Sequence, residues 1–183
     1  MFERFTRDAR EVVTHSVARA EKADADAVTE EHLLLALLDQ QGTKAAFAFS
    51  ALGVTDRRAS VETALAEGRR RGGLSNADVE ALAGFGVNVG EIVARVEEAH
   101  GPGALQASKR SKSWWSGHRP FTPAAKGVLV KSLRIATGRG DRVIGGEHLL
   151  LALTSGPGVV SEVLADHGVT YQSLERVLFP VRA

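Results

Sequence analysis

The residues best suited to bind a ligand are two glutamate–histidine pairs, Glu31–His32 and Glu147–His148, each followed directly by a run of leucines. A histidine beside a carboxylate can hold a metal ion, but neither histidine has a second ligand four residues further on. We therefore interpret His32 and His148 as structural residues that hydrogen-bond a helix end or the opposite half of the protein. Glutamate in a first helical turn is favoured by the helix dipole with or without a ligand, so the glutamates alone identify no site.

Enzyme motifs are missing from the sequence. There is no cysteine, which removes disulfides, thiolate zinc sites and cysteine nucleophiles. The glycine-rich stretch 84–90 lacks the Gly-x-x-x-x-Gly-Lys-[Ser/Thr] spacing of a phosphate loop. His-Glu-x-x-His and Gly-x-Ser-x-Gly are missing too. We predict a protein that is not an enzyme and that has no catalytic residue, metal or cofactor.

The elements that carry the two pairs belong to an internal repeat. Glu31–Leu37 recurs identically as Glu147–Leu153, and Phe5 recurs as Phe121 at the same offset of 116 residues. The apolar positions between these points match as well, and the offset becomes 115 later in the copies. Such agreement in register predicts a duplicated fold unit.

Each copy is predicted to contain about four helices, which gives an all-α, pseudo-two-fold protein. Thr6 and Thr122 are suitable N-caps for the first helix. The leucine-rich second helix is apolar nearly all round, so it is expected at the buried centre. Third helices are expected at 45–51 and 159–167, and fourth helices at 56–68 and 171–178, with N-caps from Val54-Thr55 and Val169-Thr170.

The predicted organisation is copy one over 1–71, a helical insert with a basic connector over 72–118, and copy two over 119–183, all in one compact domain. Ser75 with Asp78, and Asn88 with Glu91, are typical of capped helix starts in the insert. The connector carries Lys109, Arg110, Lys112, Trp114 and Trp115. Basic and aromatic residues together also suit a nucleic-acid patch, which is the alternative interpretation of this stretch.

Composition limits the classes of partner. The chain has 23 Lys and Arg against 22 Asp and Glu, a net charge of +1, so no global field draws it to nucleic acid or an anionic membrane. The longest strongly apolar run, 33–38, is too short for a membrane span, and the N-terminus lacks a signal-peptide core. We expect a cytoplasmic protein that binds neither nucleic acid nor membrane.

Three segments carry a family resemblance: the start Met-Phe-Glu-Arg-Phe-Thr, the segment Val28–Leu37 and the segment Pro120–Lys126. Together they resemble the Clp N-domain, or Clp repeat, that heads the ClpC and ClpA class of AAA+ unfoldases. The resemblance covers roughly 1–68 and 119–179, and the insert resembles that of stand-alone Clp N-domain proteins from actinobacteria. It implies a duplicated helical fold that binds protein substrates and adaptors, with unfoldase activity in separate AAA+ modules.

The resemblance also implies a ligand, because ClpC-type N-domains bind phosphoarginine as a degradation mark. Glu31 and Glu147 match the family's guanidinium-binding glutamate, and Thr6 and Thr122 cap helices that offer amide groups to a phosphate. The threonine of the family's Gly-Thr-Glu pattern is missing in both copies. Glu30 stands in its place in the first copy and would repel a phosphate there.

A second surface follows from the resemblance, because antibacterial cyclic peptides bind ClpC-type N-domains where the N-terminal segment meets the second repeat. The corresponding residues here are Met1, Phe2, Arg10, Val13, Phe121 and Lys126. Phe5 and Phe121 are equivalent in the repeat, so Phe2 has no symmetric partner and is expected to be exposed as a peptide anchor. The alternative is that Phe2 and Phe121 anchor the first helices.

Together these features predict a non-catalytic protein- or peptide-binding module. Its expected partners are marked substrates or adaptors of the Clp system, cyclic peptide antibiotics, and a Clp ATPase. Without a motor it would act as an adaptor or as a decoy that sequesters a ligand. The alternatives are an N-terminal fragment of a Clp ATPase subunit and a nucleic-acid-binding regulator.

Overall fold

Two sets of four α-helices, with a helical pair between them, account for most of the chain that the computed structural model describes, residues 2–106 and 119–180. The first copy contains α1 (Arg7–Lys22), α2 (Glu30–Leu38), α3 (Lys44–Ala51) and α4 (Arg58–Arg70). The insert contributes α5 (Asn76–Gly84) and α6 (Val89–His100). The second copy contains α7 (Pro123–Gly138), α8 (Gly146–Leu153), α9 (Val159–Asp166) and α10 (Tyr171–Leu178). The described residues contain no β-strand, so the predicted all-α, duplicated fold is confirmed.

The first helix of each copy starts after a threonine, as predicted. Thr6 Oγ1 accepts a hydrogen bond from the Ala9 amide at 3.2 Å, and Thr122 Oγ1 accepts one from the Ala125 amide at 3.1 Å. Each bond satisfies an amide group that a helix start leaves without an intrahelical partner. Pro123 occupies the first helical position of α7, where its missing N–H costs nothing.

The leucine-rich helices α2 and α8 lie at the centre of the fold, as their apolar surfaces predict. Every residue of α8 is buried. In α2 the buried residues are Leu33, Leu34, Ala36 and Leu37. Because residues of both helices belong to one hydrophobic cluster, the two copies share a core.

Two isolated backbone bridges cross between the copies. Phe5 pairs with Ile144, and Val28 pairs with Phe121. The two bridges are related by the offset of 116 residues, so the pseudo-symmetry of the fold exchanges one for the other. Each bridge holds the segment that leads into the first helix of one copy beside the segment that leads into the second helix of the other.

The copies also exchange their last helices, because α4 packs against α9 and α10 packs against α3. The two helices α4 and α9 approach each other closely at Gly68, where an added Cβ atom would lie 2.3 Å from Val159 Cγ1. At the opposite end of this helix pair, Arg57 Nη2 donates to the His167 carbonyl oxygen at 2.9 Å, and His167 Nε2 lies 2.9 Å from Ser60 Oγ. These contacts join the copies over a second area, away from the two bridges.

The fourth helix of the first copy starts later than predicted. Val54 is buried and Thr55 is exposed, and neither caps the helix, which starts at Arg58. Residues 54–57 form a further turn, in which the Arg57 amide donates to the Val54 carbonyl oxygen at 3.0 Å, before α4 begins. In the second copy Thr170 caps α10 as predicted, accepting a hydrogen bond from the Ser173 amide at 3.1 Å.

Both insert helices start at the predicted caps. Ser75 Oγ accepts from the Asp78 amide at 3.1 Å, while the Asp78 carboxylate accepts from the Ser75 amide at 2.9 Å. Asn88 Oδ1 accepts from the Glu91 amide at 3.2 Å. In the connector predicted over 106–119, the basic residues and tryptophans from Lys109 to Trp115 fall within 107–118, outside the described residues, so the nucleic-acid interpretation of this stretch stays a prediction. No helix within 2–106 or 119–180 has the length and apolar character that crossing a membrane requires.

Candidate functional site

The candidate ligand residues form two groups, and each group combines residues of both copies of the repeat. The Thr6 amide donates to the Ile144 carbonyl oxygen at 2.9 Å, three residues before Glu147. The equivalent bond from the Thr122 amide, also 2.9 Å, ends three residues before Glu31. Thr6 therefore belongs with Glu147, and Thr122 belongs with Glu31. We refer to these arrangements as the Glu147 site and the Glu31 site.

In the Glu31 site the carboxylate already has a guanidinium partner. The Glu31 side chain is 13% exposed and forms an ion pair with Arg69, which lies near the end of α4. The neighbouring Glu30 is partly buried, and burial raises the pKa of its carboxyl group. This site therefore holds one internal guanidinium and presents a second acidic side chain.

In the Glu147 site the carboxylate meets a lysine from the other copy. The Glu147 side chain is 10% exposed, and its Oε1 lies 3.1 Å from Nζ of Lys44, the first residue of α3. The carboxylate folds back over Gly145, where an added Cβ atom would lie 2.1 Å from Glu147 Oε2. Glycine at 145 therefore leaves the room that this position of the carboxylate needs.

Both histidines cap their own helices, which confirms the structural role predicted for them. His32 Nδ1 accepts from the Thr29 amide at 3.0 Å, and His148 Nδ1 accepts from the Gly145 amide at 3.0 Å. Burial lowers the pKa of His32, which favours the neutral ring that such an acceptor requires. Within residues 2–106 and 119–180, no three His, Cys, Asp or Glu side chains are grouped so that they could hold a metal ion.

The structure describes only part of the surface predicted for cyclic peptides. Met1 and the side chain of Phe2 lie outside the described part of the chain. Arg10 on α1 and Lys126 on α7 occupy equivalent positions at the offset of 116, and both are exposed. Val13 is a core residue at 8% exposure, and Phe121 packs partly buried against the core. Of the described members of this set, Arg10 and Lys126 therefore offer the most accessible groups.

The two basic partners, Lys44 and Arg69, were not predicted from the sequence. A signal for Lys44 existed, because at the offset of 115 it corresponds to Val159, so a charged residue stands where the other copy is apolar. Arg69 lies beyond the last position that matches between the copies, and no repeat comparison points to it.

A surface groove of about 700 Å³ was also not predicted. It lies between the end of α2, one side of α3 and the start of α4, and Phe47, 61% exposed, lines it. At its edge Arg58 Nη2 and Arg19 Nε donate to Asp39 at 2.7 and 2.8 Å. Burial raises the pKa of Asp39, but the hydrogen bonds and charges of the two arginines outweigh burial and hold this pKa below its usual value.

Comparison with known proteins gives a consistent result. The sequence matches the family described as Clp repeat (R) N-terminal domain over residues 4–81 and 119–179. It is 31% identical over 169 residues to the chloroplastic chaperone protein ClpC1 of Arabidopsis thaliana, an alignment that covers 92% of this chain and 14% of the relative. It is 32% identical over 167 residues to the ATP-dependent Clp protease ATP-binding subunit ClpA homolog of Guillardia theta, covering 91% and 15%.

Solved structures show the same fold. The N-terminal domain of the caseinolytic protease associated chaperone ClpD from Arabidopsis thaliana superposes with a TM-score of 0.54 at 20% sequence identity, covering 97% of this chain and 94% of that one. The sequence relatives are far longer, because the chain spans only about 14 to 15% of their length.

Proposed function

Because this chain belongs to the Clp repeat (R) N-terminal domain family, we propose that it is a non-catalytic module that binds protein substrates or adaptors of the Clp system. The family match concerns an N-terminal domain and extends to no ATPase or protease segment. ATP hydrolysis is therefore not part of the proposed activity. A partner would bind at the Glu31 site, at the Glu147 site or on the surface around them.

The proposed ligand is phosphoarginine in a marked protein. The observation that supports it most strongly is the environment of the two candidate carboxylates. Glu31 and Glu147 are largely buried, and each forms an ion pair with a basic side chain. Removing a carboxylate from water is costly unless a cation or hydrogen-bond donors compensate. Each site is therefore suited to a guanidinium, which can donate two parallel hydrogen bonds to a carboxylate.

The phosphate of the ligand would lie at the start of the helix that the threonine of the site caps, which is α1 in the Glu147 site and α7 in the Glu31 site. The first amide groups of a helix have no intrahelical acceptor, and they form the positive end of the helix dipole. In each site the amide of this threonine donates to the segment that leads into the glutamate's helix, so the start of the capped helix is held beside the glutamate's helix. A ligand with a guanidinium next to a phosphate would then meet complementary charge at both ends.

In the cell, such a module would act as an adaptor that delivers marked proteins, or as a decoy that sequesters a ligand from a Clp ATPase. We also propose that the protein is located in the cytoplasm. The alternative role, as the N-terminal region of a Clp ATPase subunit, would use the same ligand sites.

A second candidate ligand is a cyclic peptide antibiotic. The exposed, symmetry-related Arg10 and Lys126 favour it, because they place two cationic groups on the first helices of the two copies. Calorimetric titration with such a peptide, using an Arg10→Ala/Lys126→Ala double variant as the comparison, tests this candidate separately from phosphoarginine.

The main proposal is tested by titrating the purified protein with free phosphoarginine in a calorimeter. We expect saturable binding to the unmodified chain and none to a Glu31→Gln/Glu147→Gln double variant, which keeps the side-chain shape and removes both charges. Inorganic phosphate and free arginine serve as comparison ligands and should bind more weakly than phosphoarginine. Absence of binding to the unmodified chain would refute phosphoarginine as the ligand.

A further inference from the structure

The basic residues that meet the two glutamates differ in chemistry. Arg69 presents to Glu31 a guanidinium, the same group that a phosphoarginine ligand would present. Lys44 presents to Glu147 a single ammonium at 3.1 Å, and its side chain is 66% exposed. An arginine can match a carboxylate with two hydrogen bonds, whereas a lysine acts as a point charge on a flexible stem. The two sites are therefore not equivalent, although the repeat relates them.

The insert holds the end of α4 that carries Arg69. The adjacent Arg70 forms a two-pronged contact with Glu97 of α6, with Nε to Oε1 at 3.0 Å and Nη2 to Oε2 at 2.7 Å. Glu97 Oε1 also accepts a hydrogen bond from the Gly103 amide at 3.0 Å. This three-residue contact fixes the last turn of α4 against the insert, and so it limits how far Arg69 can move from Glu31.

The charges around the two glutamates also differ. Val159 stands at the position in the second copy that Lys44 has in the first, so the cation that Lys44 supplies to Glu147 has no basic counterpart at the equivalent position of the other copy. Glu30 adds negative charge at the start of α2, where the second copy has Gly146. Glu30 therefore repels a phosphate dianion beside Glu31, whereas the largely exposed Lys44 attracts one beside Glu147.

An unpaired acceptor also faces the start of α8. Gln40 Oε1 is buried and has no hydrogen-bond partner among the described residues. It lies 3.5 Å from the point where a Cβ atom on Gly146 would be, next to Glu147. A buried acceptor without a partner is costly, and an N–H group of a bound guanidinium would supply the missing donor.

We infer that the two related sites have diverged, so that Arg69 occupies the Glu31 site as an internal substitute for a ligand guanidinium while the Glu147 site binds ligand. In the Glu147 site the ligand guanidinium displaces the Lys44 ammonium from the carboxylate, and Lys44 then pairs with the ligand phosphate. The insert, through Glu97 and Arg70, keeps the Glu31 site closed. This inference rests on the proposed function and adds to it which site works and what closes the other.

The test is the number of phosphoarginine molecules bound in a calorimetric titration of four proteins. We expect one equivalent for the unmodified chain, none for Glu147→Gln, two for Arg69→Gln, and one for the Arg69→Gln/Glu147→Gln double variant. Arg69→Gln keeps most of the side-chain length, and circular dichroism checks that each variant is folded. Arg95→Gln, at an exposed position of α6, is the matched control and should bind one equivalent.

The outcomes separate the inference from the proposed function. One equivalent for both the unmodified chain and Arg69→Gln overturns the internal-substitute inference and leaves phosphoarginine binding standing. Two equivalents for the unmodified chain do the same. If none of the proteins binds phosphoarginine, the proposed function itself fails and the inference fails with it.

Discussion

The Thr6 amide and the Ile144 carbonyl oxygen are joined by a backbone hydrogen bond of 2.9 Å, although the two residues belong to different copies of the repeat. The bond fixes the start of α1 beside the start of α8, where Glu147 lies. Its symmetry-related counterpart fixes Thr122 beside the helix of Glu31. Each candidate site is therefore built across the pseudo-two-fold axis, and the proposed ligand binding would depend on the packing of one copy against the other.

That packing depends on the central leucines. Leu150 is fully buried in α8, and replacing it with alanine should lower the free energy of unfolding by about 2–5 kcal/mol through lost apolar contact and a residual cavity. The matched control is Val143→Ala, at a position 51% exposed, which should change it by no more than about 0.5 kcal/mol. Urea unfolding measures both. A loss at Leu150 no larger than that at Val143 would contradict the central position of α8.

Two glycine substitutions, one in the contact between α4 and α9 and one outside it, should have opposite effects on stability. In Gly68→Ala the new Cβ atom would lie 2.3 Å from Val159 Cγ1, so overpacking should destabilise the protein by about 1–3 kcal/mol. In Gly127→Ala the new atom has no neighbour within 4 Å, at an exposed position of α7, so the helix should gain about 0.5–1 kcal/mol. Thermal unfolding compares the two variants. A higher melting temperature for both would show that the helices are not this close at Gly68.

Lys44 is predicted to distinguish phosphoarginine from arginine. Lys44→Gln removes the cation assigned to the phosphate, and a charge-assisted hydrogen bond of about 1.5–3 kcal/mol corresponds to at least a tenfold loss of affinity. Affinity for free arginine should not fall, because Glu147 then loses a competing cation. Lys22→Gln, at an exposed position near the end of α1, is the control. An equal loss for both ligands would contradict a role for Lys44 at the phosphate.

The contact between the insert and α4 predicts that the stability of the protein depends on pH. The hydrogen bond from Arg70, followed by that from the Gly103 amide, lowers the pKa of Glu97 to about 2 from an ordinary value of 4.5. Because the folded-state pKa is the lower one, the stability from this contact is complete above about pH 4.5 and is lost as the pH falls toward 2.

Carbon-detected NMR titration of the Glu97 carboxyl group measures this pKa directly. A midpoint near 2 is expected for the unmodified chain, and Arg70→Gln should raise it toward 4.5. A midpoint already near 4.5 in the unmodified chain would show that α6 does not hold the end of α4.

Most of the fold was predictable because its signals are local. Thr6 and Thr122 cap their helices through side chains three residues from the bonded amides, and the leucine repeat marks the buried helices without further information. The start of α4 was not predictable in the same way. Arg57 donates to the carbonyl oxygen of Gly53 and to that of His167 in the other copy, and this long-range contact holds a turn where the sequence predicts the start of the helix.

The site was predictable only in part. The types and positions of Glu31 and Glu147 single them out, but their partners lie 38 residues away for Arg69 and 103 residues away for Lys44. Such contacts depend on how α3 and α4 pack against the two central helices. The crossed pairing of Thr6 with Glu147 is likewise a property of the bridges between the copies, and no spacing in the sequence expresses it.

The most direct test of the central claim is a titration of the isotope-labelled protein with phosphoarginine, followed by the amide resonances. The largest shifts should fall on Thr6 and on Gly145, Gly146 and Glu147, with little change at Glu31, and they should vanish in Glu147→Gln. Saturable shifts confined to another surface, such as the groove beside Phe47, or no saturable shifts at all, would contradict a composite phosphoarginine site at the start of α8.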